Sequence, residues 1–454
     1  MQDVYDDNEA APRPDRVKLA LPVALLIVMF AFPPEASLNL GSLRFSPYRV
    51  LLILMVLPCL FKLLANRFGT ILLADGLMLF HVSWAAIALF NYDGMNAIEP
   101  AGMYFIECFG SYMLGRRYIR NADDFRALSR FMTFFVLGLL CFTLPESVTG
   151  LHVIREFFRA ALGGPPLPLI DPRWGLSRAF GSFDHPILYG AFCAAAFSMA
   201  LFVVGPHYSK MKAKLIPAGV FLACFLSLSA GPWVAVIIQL ILAGWNRITS
   251  NIPMRWGILF LIFSLSIFGV SLFSNRPPVN VFITYASFSP VSSYNRILIW
   301  EYGSAEVARH WWLGIGFADW TRPSWMSNSM DNFWLLTAVR YGMPALIALV
   351  WAITSICLGA AGQRNRDQGW IACRYAWMIT LFGISFAATT VHLWNALFCL
   401  FLLFIGSGVF MATPAVETKT LAEQEAEERE LAEEEYDYEN ELGWNDDPRN
   451  SHAA

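Results

Sequence analysis

Long apolar runs separated by polar breaks dominate the chain. Runs near the roughly 20 residues that cross a bilayer lie at 17–33, 48–65, 70–90, 100–116, 128–145, 186–204, 214–230, 231–246, 256–274, 332–359, 371–390 and 393–412. Hydrocarbon offers no partner to an open strand or loop, so the pattern predicts helices throughout. The expected fold is an all-α membrane protein, a polytopic bundle of about 12 transmembrane helices. The least distinct breaks are those around Ser229–Pro232 and His392–Asn395. Two breaks are long, at 146–185 and 275–330. Loops of that length usually carry function or are disordered, and the arginines and aromatic residues of these two favour order. The expected organisation is a polar segment at 1–16 without a signal-peptide pattern, a membrane body at 17–412 and a tail at 413–454.

Composition and charge sharpen this picture. Of the 454 residues 56% are hydrophobic and 15% charged, where a soluble domain carries about 25% charged residues. An ordinary soluble enzyme and a wholly disordered chain are both excluded. The net charge of −3 conceals a split: residues 413–454 hold 14 acidic and 3 basic side chains, the rest 21 and 29. Lys and Arg concentrate in the breaks on one side, so the positive-inside rule places both termini in the cytoplasm and the two long loops outside. Every Lys then falls inside, and the outer cations are arginines alone. Arg presents a planar fork suited to phosphate and carboxylate. The acidic tail reads as a charged cytoplasmic helix or a disordered segment.

Few spanning residues are ionisable, and such groups are functional candidates by default. Asp75 stands near a helix end, where it would cap, with His81 nearby. Glu107 lies deeper, placed to pair with an Arg of another span. The eight Cys occupy or flank apolar runs without metal-ligand spacing, so neither a disulfide framework nor a zinc site is expected. The nucleotide-binding lysine loop, the serine-hydrolase elbow and the zinc-protease motif are missing. No metal, cofactor or nucleic acid is expected.

Four segments assigned to the outer face carry the chemistry. They are RAFGSFDHPILYG at 178–190, SLSAGPWVA at 227–235, NRILIWEYGSAEVARHWWLGIGFADW at 295–320 and SMDNFWLLTAVRYG at 329–342. In order and spacing they resemble the O-antigen polymerase and ligase family of bacterial membrane glycosyltransferases. That family shows an Arg-x-x-Gly-aromatic segment with a His-Pro or Asn-Pro pair, then a Ser-Arg-Gly-like hairpin. An Arg-bearing stretch ending in Gly-x-Gly follows, and then a His-Asn or Asp-Asn pair before a Gly. The resemblance covers about 180–345 well and rests elsewhere on the number of spans. Two positions depart from it: Asp331 stands where His is frequent, and Ala230 where Arg often follows the hairpin Ser.

The resemblance implies a GT-C-like, metal-independent, inverting glycosyltransferase of the bacterial inner membrane with a periplasmic active site. Its donor would be an undecaprenyl-diphosphate-linked oligosaccharide and its other substrate an acceptor glycan, with chain-length regulators or export proteins as partners. Arg178 and Arg296 match the family's Arg positions and would clamp the diphosphate, where charge develops as the glycosidic bond breaks. Snorkelling interface arginines are the bland alternative. Arg322, Arg309 or Arg173 would replace the missing hairpin cation. Asp331 would take the acceptor's proton or cap its helix; His185 and His310 are alternative bases. Arg322, Tyr294 and Asn332 complete the expected substrate contacts. Gly314 and Gly316 would form a tight turn. The departures favour a polysaccharide polymerase over a ligase that attaches glycan to lipid A core. A transporter or flippase would call for inverted repeats, and none is visible.

Overall fold

The computed structural model describes residues 17–40, 43–65, 71–163, 166–285, 290–363 and 366–413. The segment at 1–16 and all but the first residue of the acidic tail lie outside them. The chain divides into two compact units, Met1–Ala412 and Thr413–Ala454.

The body is helical, apart from two short antiparallel strands, β1 (Leu38–Leu40) and β2 (Leu43–Phe45). Its helices are α1 (Leu21–Phe30), α2 (Pro47–Leu64), α3 (Leu73–Asp93), α4 (Ile98–Phe105), α5 (Ser111–Tyr118), α6 (Ala122–Thr149) and α7 (Val153–Leu162). There follow α8 (Pro186–Met199), α9 (Lys210–Leu226), α10 (Ala230–Ile248), α11 (Arg255–Phe273), α12 (Pro278–Tyr285) and α13 (Pro290–Arg309). The last are α14 (Phe333–Gly362), α15 (Gln368–Ala387), α16 (Ala396–Ser407) and α17 (Val409–Ala412).

Each apolar run of the sequence contains a helix, but runs and membrane crossings do not correspond one to one. Among the described residues eight helical stretches are long and apolar enough to cross a membrane, and α1 and Ala396–Ala412 are shorter apolar pieces. One of the eight, Leu73–Tyr118, is 46 residues long. At 1.5 Å per residue a straight helix of that length would reach about 69 Å, roughly twice a bilayer core. Gly94, at φ +54°, breaks it between α3 and α4. Helix α1 has ten residues and α9 seventeen, both short of the roughly 20 that cross a bilayer, so the eight stretches stand below the expected count of about twelve.

Helices α8 and α16 form the centre: every residue of α16 is buried, and all of α8 but Ile187. Helix α11 is apolar along its whole length yet buries no residue, so lipid is its natural neighbour. Small residues allow the closest crossing. A Cβ at Gly115 would meet the Leu403 carbonyl of α16, and one at Gly406 the Tyr112 carbonyl of α5.

Asp75, Glu107 and His81 find their partners within the bundle. Asp75 Oδ2 accepts from the Leu72 amide (2.9 Å) at the start of α3, while Oδ1 accepts from Tyr112 (2.6 Å) and Arg116 (3.3 Å). Glu107 pairs with Arg49 of α2 at 2.6 Å, the inter-span pair expected of it. His81 bridges the Tyr104 hydroxyl and the Ala345 carbonyl, each at 2.8 Å.

Candidate functional site

One end of the bundle gathers three of the four motif segments with a loop between α15 and α16. Backbone contact sets the arrangement. A Cβ at Gly190 would meet Ser227 and Pro232, so α8 lies directly on the α9–α10 hairpin. Gly231 lies equally close to the Val391 side chain. The Phe333 amide donates to the Ala388 and Val391 carbonyls at 2.9 and 3.2 Å, tying the start of α14 to the same loop.

The segment preceding α8 is pinned from below by a buried carboxylate. Glu146, at the end of α6, accepts from the amides of Phe180 (2.8 Å) and Gly181 (3.1 Å) and from His152 Nδ1 (2.8 Å). Arg155 adds a second anchor through Glu35 (2.6 Å) and the Phe183 carbonyl (3.0 Å). Above this support Arg178 reaches the hairpin, donating to Ser229 Oγ at 2.8 Å. Arg173 donates to the Leu228 carbonyl at 2.5 Å. Arg173 thus brings a guanidinium to the hairpin that lacks its own Arg at Ala230. Arg309 instead pairs with Glu306 (2.7 Å). Arg322 donates to Asp319 and to the carbonyls of Trp320 (3.0 Å) and Met326 (3.1 Å), which bind its own loop.

Backbone strain concentrates here. Among the described residues the non-glycine positions with positive φ are Trp174, Leu228 and Asn395. Each lies in a different loop, and all three loops meet at this site. Such conformations cost of order 1–3 kcal/mol and persist where surrounding structure imposes them, often at functional sites.

Electrostatics link the loops. Burial lowers the proton affinity of Arg178, and Arg173 lowers it further against the pull of Asp171, to about 10. Burial likewise pulls Arg296 down, Asp331 supports its charge and Arg173 opposes it. Burial, then Arg178 and Arg173, lower His185 to about 4. Arg173 therefore repels both Arg178 and Arg296, and a bound anion would relieve them. His185 is neutral at pH 7, and its Nδ1 accepts from the Ile187 amide (3.1 Å), capping α8. The ring proton then resides on Nε2, which makes this face a donor.

At the start of α14 the cap is Asn332, whose Oδ1 accepts from the Leu335 amide at 3.0 Å. The expectation that Asp331 caps this helix is corrected: its carboxylate accepts only from Ser329 Oγ (3.2 Å) among the hydrogen bonds it makes, and it faces the charge of Arg296. Tyr294 is 57% exposed near the start of α13. His310 is separated from this cluster. It stands fourteen residues beyond Arg296 along α13, about 21 Å at helical rise, and approaches Glu306 at 3.5 Å. The Gly314–Gly316 turn packs elsewhere too: the amides of Ile315 and Gly316 donate to the carbonyls of Val339 and Arg340 at 2.8 and 2.9 Å, where Gly342 interrupts α14 at φ +81°.

A cavity of about 260 Å³ adjoins the cluster. Asn395 and Trp394 connect the two: Asn395 donates to Asp184 at 3.1 Å and the Trp394 ring is 6.1 Å from that of His185. Arg340 and His392 line this cavity. The sequence reading assigned a role to neither. An Arg inside an apolar run, and two polar residues in the narrow break VHLWN, were the available signals. Among the described residues no group of three His, Cys, Asp or Glu is gathered as for a metal ion.

Comparison with known proteins agrees with the motifs. No curated protein matches the chain. Residues 215–350 match the family model described as O-antigen ligase, a stretch that includes the hairpin, α13, the Gly-x-Gly turn and the start of α14. Over that stretch the chain is similar to the O-antigen ligase family, in keeping with its motifs, and its apolar helices are those of a multi-pass membrane protein.

Proposed function

We propose that this protein is a polysaccharide polymerase of the bacterial inner membrane, with both termini cytoplasmic and the arginine cluster facing the periplasm. In this reading Arg173, Arg178 and Arg296 hold the diphosphate of a lipid-linked glycan, and Arg173 stands in for the missing hairpin cation. The observation that carries it is the convergence of Arg173 and Arg178, from the segment before α8, with Arg296 of α13, where Arg173 repels each of the other two and a polyanion would relieve the repulsion. The body is read as a GT-C-like bundle of about 12 passes, with α1, α9 and α16 counted as short spans.

The chemistry follows from these positions. A hydroxyl oxygen of the acceptor sugar attacks the anomeric carbon of the donor, and the bond from that carbon to the diphosphate oxygen breaks. The leaving diphosphate keeps the electron pair and is stabilised by the arginines and by the Nε2–H of His185. Asp331, released from capping by Asn332, takes the hydroxyl proton. Attack opposite the leaving group inverts the anomeric centre. The arginines supply the charge stabilisation that a divalent metal gives elsewhere, so chelation leaves the rate unchanged. Tyr294 lies near the start of α13, where its exposed ring is available to a sugar. Arg322 acts by holding its loop.

Ligation to a lipid A core is the second reading, favoured by the description of the matched family. Purified protein supplied only with undecaprenyl-diphosphate-linked repeat units separates the two. A polymerase yields a ladder of longer lipid-linked chains, unaffected by EDTA. Product that forms only after lipid A core is added supports the ligase. Glycan that crosses a vesicle membrane without being joined supports transport and overturns both.

A further inference from the structure

The cavity beside the arginine cluster has features the transfer reaction does not use. Arg340 lines it from within the apolar helix α14. Its guanidinium lies over the Phe317 ring at 4.9 Å, and among the described residues no carboxylate stands within ion-pair distance of it. Glu107 also lines the cavity, yet its charge is committed to Arg49 at 2.6 Å. A cation inside a membrane body without a counter-ion is costly unless function requires it. His392 lines the same space, its Nδ1 buried and without a hydrogen-bond partner. Burial, then the charge of Arg340, lower His392 to about 4, so it is a neutral group beside the cation. Trp394, Tyr104 and Phe317 supply aromatic faces, and Asn395 an amide.

From this set we infer that the cavity is a saccharide subsite selective for an acidic sugar, one bearing a carboxylate. The inference rests on the glycan-transfer reading and deepens it. Aromatic faces with scattered hydrogen-bonding groups suit a sugar ring, apolar on its faces and polar at its rim. The volume, about 260 Å³, suits one such unit better than an oligosaccharide. The guanidinium of Arg340 then engages the carboxylate, a pairing its planar fork favours. His392 Nδ1 and Asn395 satisfy ring hydroxyls. Because Trp394 spans from this cavity to His185, the acidic unit would sit next to the reacting sugar, near the growing end of the acceptor.

The test is direct binding, which requires no transfer. Full-length protein in nanodiscs is titrated calorimetrically with a glucuronate-containing trisaccharide and with its neutral glucose counterpart. Undecaprenyl phosphate loaded into separate nanodiscs is the third probe. The expected result is tighter binding of the acidic than of the neutral trisaccharide by about tenfold or more. Arg340→Gln should erase that preference, Arg340→Lys should keep part of it, and Arg159→Ala, which breaks an ion pair with Glu156 on α7, should leave it unchanged. Thermal melting of each variant checks folding, and Arg340→Lys carries the test if Arg340→Gln does not fold. Equal binding of both trisaccharides, no binding of the acidic one, or a preference that survives in Arg340→Gln would overturn the proposal. Arg340-dependent binding of undecaprenyl phosphate alone would overturn it too, by making this a lipid phosphate site. Chain growth without acid preference would remove the subsite and leave the polymerase. Acid-selective binding without chain growth would do the reverse.

Discussion

Glu146 and His185 illustrate how single side chains prepare the site. Glu146 is fully buried yet accepts from two amides and a histidine, which fixes the backbone that carries Arg178. His185 uses Nδ1 to cap α8, which leaves the ring proton on Nε2. Its neutrality has a consequence for pH dependence. Burial and the two nearby arginines hold it at about 4, below the ordinary histidine value of about 6.5. It therefore stays an uncharged donor as pH falls from 8 to about 5, and becomes a cation only near 4. The rate of glycan transfer should be level across that range, measured as initial chain growth. An inflection near 6.5 would mean that an ordinary histidine titrates in the reaction. The neutral state of His185 was not legible in the sequence, because it depends on burial and on the arginines at 178 and 173 that folding holds near its ring. The capping role was partly legible in the His-Pro pair.

At the scale of elements, the break in α14 matters most. Gly342 ends the first half of the helix at φ +81°, and a Cβ there would meet the Trp312 carbonyl. The freed carbonyls of Val339 and Arg340 accept from the Gly-x-Gly turn, so helix break and turn are one device that fixes Arg340 at the cavity. Gly342→Ala should destabilise the protein by about 1–3 kcal/mol, seen as a lower melting temperature by circular dichroism. It should also expose residues 311–328 to limited proteolysis. A variant with unchanged melting and protection would contradict this coupling. The glycines were visible in the sequence as a turn signal; their partner was not, because nothing local links position 314 to position 340. The same holds for Arg173, which reaches the Leu228 carbonyl of the hairpin from 55 residues upstream.

For the whole molecule, apolar runs were enough to locate the membrane-length helices, because a membrane admits few alternatives, but not α7, α12 and α13, which lie within the two stretches read as loops. Apolar runs do not by themselves count crossings, since the break at Gly94 and the short apolar pieces Leu21–Phe30 and Ala396–Ala412 depend on where the chain turns. The order of the motif segments pointed to the family whose model residues 215–350 match. It missed the loop at 388–395, whose apolar and polar residues form no motif yet touch the hairpin, α14 and the segment before α8. What joins these parts is the arginine cluster, and its role is open to direct measurement. Purified protein, undecaprenyl-diphosphate-linked repeat units and the initial rate of chain growth suffice. If the cluster clamps the diphosphate, Arg178→Ala and Arg296→Ala should each slow growth by about 100-fold or more, and Arg322→Ala by much less. Growth at the wild-type rate in Arg178→Ala and Arg296→Ala, with both proteins folded, would contradict it.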